Sequence, residues 1–357
     1  MYPRLTINLK KLQHNANALC AMAQERGIAE LAFVTKVFCA DEKMVRTLQD
    51  TPCCYLADSR IENLARYPES DKLRILLRLP MISQAEEVVR YSDISFNSEL
   101  ATLQALGKAA QEQLKQHKVV LMIDLGDLRE GIFFKNTEQI LHLAKFVESD
   151  PNLVLFGVAF NVTCYGSVLP TQENVGQFLA LAEQIENALG RQLEFISGGN
   201  SSSVPLLLQK PHSFGRINNL RLGESLVLGR ETAFGQDLQN MYQDVVTLEA
   251  EIVELQEKPS YPIGEIGVNA FGERAEYTDI GIRNRAIAAI GRQDMDCDGL
   301  VPLDAGVRVV GASSDHLILD VTEREKMHVG SIVRFALNYG GMLRGFTSAY
   351  LNRQYIE

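Results

Sequence analysis

Short apolar runs alternate with amphipathic stretches over the first two-thirds of the chain, and this alternation sets the expected fold. After a brief opening strand at Thr6-Ile7-Asn8, Leu9, Leu12, Ala16, Leu19 and Ala23 recur at helical spacing until Gly27 stops the helix. Apolar runs then follow at 31–36, 54–57, 73–79, 94–96, 119–123, 154–160, 193–196 and 220–222, eight in all. Helices are predicted between them at about 41–49, 59–66, 83–91, 98–116, 137–148, 172–189 and 201–209, with Asp41, Asp58, Ser83, Ser98, Thr137 and Thr171 as N-caps. Alternating strands and helices pair in parallel through right-handed crossovers, and eight such units close into a (β/α)8 TIM-type barrel. A doubly wound open sheet is the competing architecture, but eight units packed into about 200 residues favour the barrel.

After about residue 235 the pattern changes. Apolar runs at 245–255, 286–290, 306–311, 316–321 and 331–338 are separated by Gly, Pro and Asp turns with little helical periodicity. The expected division is therefore a barrel over 9–234 and an all-β C-terminal domain over 235–357, with the opening strand at 1–8 pairing into the second domain.

Composition narrows the function. The 357 residues are 46% hydrophobic and 22% charged with a net charge of −10, which fits a globular protein and argues against a nucleic-acid or membrane-surface partner. The start Met1-Tyr2-Pro3-Arg4-Leu5 lacks the apolar core of a signal peptide, and no stretch approaches a membrane span, so a cytoplasmic location is expected. Six cysteines without a CxxC pair and six histidines without HxH or HExxH predict reduced thiols and no metal site. A small molecule is the expected partner.

Chemistry in a barrel of this kind sits at the carboxyl ends of the strands. Lys36 closes the first predicted barrel strand. Asp124 and Arg129 follow the fifth and Asn161 the sixth, Ser197-Gly198-Gly199-Asn200-Ser201 follows the seventh, and Arg221 and Gly223 close the eighth. A strand-end lysine that is partly desolvated has its ammonium form disfavoured, which suits attack on a carbonyl and Schiff-base chemistry. The glycine and serine run opening a helix offers N–H groups and hydroxyls to a phosphate, on the loops where barrels most often bind one. A lysine and a phosphate cradle on one rim suggest pyridoxal 5′-phosphate.

With these residues in place, the chain resembles, nearly end to end, the fold-type III pyridoxal-phosphate enzymes of the alanine racemase group, closest to the alanine/ornithine racemase-like branch. Thr35-Lys36 resembles the cofactor-bearing lysine segment. Asp124 to Gly131 resembles the segment whose arginine, here Arg129, lies near the cofactor's phenolic oxygen. Gly199-Asn200-Ser201 resembles the asparagine-serine that holds phosphate. Arg221-Leu222-Gly223-Glu224 resembles the motif whose arginine faces the pyridine nitrogen while the following residues offer N–H groups to phosphate. Pro262-Ile263-Gly264 and Gly291 to Asp296 resemble segments that a partner subunit presents to the site, so the resemblance implies a homodimer with shared sites. It also places Asn161 and Tyr350 among the cofactor's surroundings.

The chain departs from the group's pattern at three points. No tyrosine follows Lys36 in Val37 to Asp41, Asn161 stands where a histidine is expected, and Glu265 replaces the tyrosine after Pro-Ile-Gly that would be the second acid/base. Inverting a stereocentre needs proton donors on both faces, so Glu265, its pKa raised by burial, is the expected second base, with Tyr277 or Tyr339 as substitutes.

The expected activity is racemisation of an amino acid. Asp294-Met295-Asp296 is read as a substrate-facing segment that, with Glu224 and Glu265, favours a distal ammonium: ornithine first, lysine next, alanine poorly. Alternatives are an alanine racemase, a basic amino-acid decarboxylase of the same fold, a non-catalytic cofactor carrier, and a lysine-dependent aldolase.

Overall fold

The structure is a computed structural model that describes residues 1–209, 214–269, 271, 272, 274 and 276–357. It divides into two units, one of residues 11–243 and one joining residues 1–10 to 244–357.

The unit of 11–243 is a closed barrel. Its strands are β2 (Glu30–Val34), β3 (Tyr55–Asp58), β4 (Leu73–Leu76), β5 (Ile94–Asn97), β6 (His117–Asp124), β8 (Leu153–Phe160), β9 (Phe195–Ser197) and β10 (Asn219–Leu222), with a short β7 (Ile132–Phe133) beside β6. Neighbours pair in parallel in the order β5-β4-β3-β2-β10-β9-β8-β6, and pairing of β5 with β6 closes the ring. The strands read as continuous apolar runs because both faces are covered. Ala32, Val34, Tyr55, Ile75, Ile94, Phe96, Val120, Met122, Phe156 and Phe195 form the buried interior. Gly157 in β8 is required by close approach, since a Cβ there would lie 1.8 Å from the Phe195 carbonyl oxygen.

The helices are α1 (Leu9–Glu25), α2 (Glu42–Gln49), α3 (Ile61–Leu64), α4 (Ala85–Tyr91), α5 (Leu100–Glu112), α6 (Thr137–Ser149), α7 (Gln172–Leu189), α8 (Val204–Leu208) and α9 (Glu224–Leu228). In α1 the expected stripe Leu12, Ala16, Leu19 and Ala23 is buried, together with Asn15, which bonds the backbone of Leu226 and Tyr242. Asp41 accepts from the Met44 N–H, and Thr171 forms a capping box with Asn174, as predicted. The other expected caps are displaced. Arg60, Gln84, Glu99 and Asn136 precede the helices instead of Asp58, Ser83, Ser98 and Thr137, and Asp58 turns its carboxylate into the core. The helix predicted at 201–209 is a 3₁₀ turn over Ser201–Ser203 leading into α8.

The other unit is an eight-stranded sheet of β1 (Arg4–Asn8), β11 (Val246–Pro259), β12 (Ile282–Ala288), β13 (Leu300–Pro302), β14 (Arg308–Ala312), β15 (Leu317–Asp320), β16 (Ile332–Leu337) and β17 (Asn352–Ile356). β1 lies antiparallel to β11 and parallel to β17, so both ends of the chain enter this sheet. A helix, α10 (Tyr339–Thr347), makes the unit β-rich rather than all-β. Among the described residues no helix is long and apolar enough to cross a membrane.

Candidate active site

Five chain segments bring polar side chains to the carboxyl ends of the barrel strands. Lys36 begins a 3₁₀ turn, Lys36–Phe38, directly after β2. It is exposed, so the desolvation expected from a strand-terminal position is not present in the single chain. The next strand in the ring is β10, whose Arg221 pairs in register with Ala32.

Arg221 points into the barrel. Its guanidinium donates to the Ser197 hydroxyl and, at 2.7 Å, to the Phe160 carbonyl, and lies 5.1 Å from the centre of the Phe96 ring. It is buried and makes no ion pair among the described residues. Burial pushes its pKa down to about 10, opposed by the nearby Glu130 and Cys164 and helped by Arg129. Two residues on, Gly223 packs against Val34, where a Cβ would stand 3.1 Å from that side chain, and Glu224 follows half-buried. Burial raises the Glu224 carboxyl above its ordinary range, against the pull of Arg230 and Lys36. Lys36 and Glu224 thus feel each other across the β2–β10 seam.

Beyond β9, Asn200 organises the serine run. Its amide donates to Asn161 Oδ1 at 2.8 Å, the Val162 carbonyl at 3.1 Å and Cys164 Sγ at 3.3 Å, while its oxygen accepts from the Ser202 N–H at 2.7 Å. Ser201 Oγ accepts from the Ser225 N–H at 3.1 Å, tying the β9 loop to the start of α9. Two buried donors here have no partner among the described residues, the Asn161 amide nitrogen and the Ser202 hydroxyl. Unpaired buried donors are costly, and a pair of them on adjacent loops fits an anion such as the phosphate of pyridoxal 5′-phosphate.

The loop after β6 carries Asp124, Asp127 and Arg129. Asp124 accepts from the Gly126 and Leu128 N–H groups and shapes its own turn. Arg129 is half-exposed and its guanidinium is paired with Glu130. Asp127 has a larger structural role, since its two oxygens accept four N–H groups of the loop after β8, from Thr163, Cys164, Tyr165 and Val168.

The remaining expected site residues belong to the β-rich unit. Glu265 is exposed, in the segment between β11 and β12, so the burial invoked to raise its pKa is not found in the single chain. Asp294 and Met295 are buried in their own unit: Asp294 Oδ1 accepts from the Ser348 hydroxyl at 3.1 Å, and Met295 packs on α10, its methyl 2.9 Å from where a Gly345 Cβ would stand. Asp296 keeps part of its surface open. Tyr350 is exposed, and its N–H donates to the Ser348 hydroxyl. The substitutes Tyr277 and Tyr339 lie in this unit too, Tyr277 exposed beside Tyr261 and Tyr339 opening α10.

Residues 7–231 match the family model described as "Alanine racemase, N-terminal domain". The chain belongs to the alanine racemase family. It is similar over 99% of both chains to the ornithine racemase of Acetoanaerobium sticklandii, at 45% identity, and to the lysine racemase of Thermotoga maritima, at 38%. In fold it matches an alanine racemase from Bartonella henselae with covalently bound pyridoxal phosphate, with a TM-score of 0.73 at 17% identity, covering 100% of both chains. The barrel and its separate sheet are the architecture of this family.

Proposed function

We propose that this member of the family is a pyridoxal 5′-phosphate-dependent racemase of basic amino acids, with ornithine the favoured substrate. The observation that carries this reading is the placement of Lys36, Arg221 and the Asn200-Ser201-Ser202 run at the ends of three adjacent strands, β2, β10 and β9, in a chain whose relatives are an ornithine and a lysine racemase. Pyridoxal 5′-phosphate supplies the carbonyl that captures amines and the ring that spreads the charge left when Cα loses its proton.

The chain's own residues do the rest. Asn161, Asn200, Ser201 and Ser202, with the backbone at Gly223 and Glu224, would hold the phosphate. The Lys36 amine would hold the cofactor and then move the Cα proton on one face. Arg221 stays a cation even at a pKa of about 10, so facing the cofactor's ring nitrogen it would leave that nitrogen without a proton and keep the electron sink shallow, which would favour one proton exchange over elimination. Arg129 would face the cofactor's phenolic oxygen and the substrate, and Tyr350 is proposed as a further cofactor contact.

Glu265 and the Asp294-Met295-Asp296 segment enter this reading from a second copy of the chain. Glu265 would act on the opposite face of Cα, and the partly open carboxylate of Asp296, backed by the buried Asp294 turn, would meet the distal ammonium. A homodimer is supported by exposed apolar side chains around Glu265: Ile263 is 92% exposed and Val268 69%. A cytoplasmic setting belongs to the same reading, supported by six cysteines that stand as free thiols.

The test is a chiral assay of L- and D-amino acids on purified protein with added cofactor. Ornithine should turn over fastest, lysine next and alanine poorly, with all activity lost in Lys36→Ala. Faster turnover of alanine than of ornithine would overturn the substrate assignment.

A further inference from the structure

The turn that presents Lys36 is strained, and a buried polar network holds it. Cys39 and Ala40 adopt consecutive left-handed conformations, with φ of 51° and 50°. A side chain in that region is disfavoured, and two in succession persist only where the surroundings over-determine them.

Thr35 is the centre of that restraint. Its carbonyl accepts from the Phe38 and Ala40 N–H groups at 3.2 and 3.3 Å, and its own N–H donates to the Ala57 carbonyl at 2.9 Å. Its hydroxyl, fully buried, donates to Asp58 Oδ2 at 2.6 Å and lies 2.5 Å from the Tyr67 hydroxyl. The other Asp58 oxygen accepts from the Arg60 N–H at 2.9 Å and from the Asn63 amide at 3.0 Å. Asn63 in turn accepts from Arg66, which also donates to the Cys39 carbonyl at 3.3 Å, so the network reaches the turn at both ends.

Asp58 is fully buried and has no ion pair among the described residues. A carboxylate kept there without a counter-ion is expensive and needs every hydrogen bond it makes. The hydroxyl protons can be counted. With Asp58 ionised, Thr35 donates to it and Tyr67 donates to Thr35, and every group is satisfied.

We propose that Thr35, Asp58 and Tyr67 are positioning residues that hold the strained turn and so fix the direction in which the Lys36 amine leaves the barrel rim. This rests on the reading of Lys36 as the amine that holds the cofactor. None of the three needs to touch the cofactor, because they act through the backbone of Thr35 and Cys39.

The experiment titrates the purified full-length protein with pyridoxal 5′-phosphate, traps the adduct with borohydride, and locates the pyridoxyl group by peptide mass spectrometry. Thr35→Val should weaken the apparent affinity at Lys36 by about tenfold, and Thr35→Ser should restore it to within about twofold of the parent. Tyr67→Phe, which deletes one hydroxyl and keeps the ring, should give a smaller loss in the same direction and serves if Thr35→Val does not fold. Ala40→Gly relaxes the left-handed position, so its thermal midpoint should hold or rise while affinity at Lys36 falls, a combination that simple destabilisation cannot produce. Parental affinity in Thr35→Val or Tyr67→Phe, or no recovery in Thr35→Ser, would overturn the proposal with Lys36 still the labelled residue. Undiminished trapping in Lys36→Ala would instead overturn the reading of Lys36, and the proposal with it.

Discussion

Replacing Asp127 by asparagine should loosen the barrel mouth without touching any reacting group. Oδ1 accepts the N–H groups of Thr163 and Val168 at 3.0 and 3.1 Å, and Oδ2 accepts those of Cys164 and Tyr165 at 3.2 and 3.0 Å. Asparagine keeps one oxygen. Its NH₂ group must then face two N–H donors, so two bonds are lost outright and the other two lose their charge assistance. At about 1.5–3 kcal/mol for a hydrogen bond to a charged group, and allowing for partial rehydration of an exposed loop, the net loss should be about 2–4 kcal/mol. The loss should be local first, because residues 163–168 can open while the barrel stays closed. Burial would raise the Asp127 carboxyl, but the four N–H groups outweigh it and hold the group below its ordinary range. The unfolded chain therefore binds the proton more tightly. The clamp's contribution is complete above about pH 4 and disappears as pH falls through the folded value. The assay is hydrogen exchange of the 163–168 amides together with urea unfolding at pH 7 and well below pH 4, where the parent should lose the clamp's contribution and Asp127→Asn should not. Because Val162 and Cys164 accept from Asn200, cofactor affinity should fall as well. Parental protection of these amides and an unchanged urea midpoint in Asp127→Asn would show that the carboxylate is not what holds the loop.

Two further outcomes are expected. His117 is buried with Nε2 2.7 Å from the Ser95 hydroxyl, and burial pushes its pKa down to about 4. The unfolded chain, near 6.5, takes up the proton first, so stability should be level above about pH 6.5 and decline by up to about 1.4 kcal/mol per pH unit toward pH 4. His117→Gln should remove that slope in denaturant titrations, and an undiminished slope would assign it to another group. For the shared site, co-expression of Lys36→Ala and Glu265→Gln chains, each inactive alone, should yield hybrid dimers with part of the parental activity. Hybrids confirmed by mass but silent would count against catalysis across two chains.

The barrel was legible because each of its strands is covered on both faces and so appears as an unbroken apolar run between polar helices. What stayed hidden has identifiable causes. α10 carries three glycines, Gly340, Gly341 and Gly345, which lower helix propensity; it forms because Met295 packs at Gly341 and Gly345, with Leu351 and Leu5 beside Gly345 and Asp296 at Gly340. β17, Asn352-Arg353-Gln354-Tyr355-Ile356, is a polar edge strand with no alternation to announce it, recruited by parallel pairing with β1. A Ser, Thr or Asp near a helix start predicts a cap, yet at 58 the carboxylate has a buried partner to satisfy, which takes precedence over the helix end.

At the site, position on the rim could be read and orientation could not. Lys36, Asn200 and Arg221 follow their strands so closely that the end of the strand fixes where they stand. Polar residues farther into the loops can turn either way. Asp124, Asp127 and Arg129 occupy one loop, yet the first shapes its own turn, the second clamps a neighbouring loop, and the third pairs with Glu130. The run Asp294-Met295-Asp296 divides similarly: two residues commit to their own unit while Asp296 keeps open surface. A carboxylate buried with hydrogen-bond donors around it stabilises a fold, whereas one left partly open, with no such donors among the described residues, is available to a cation from outside. Sequence shows that both are acidic. Only packing separates them, and it moves the expected ammonium contact from Asp294 to Asp296.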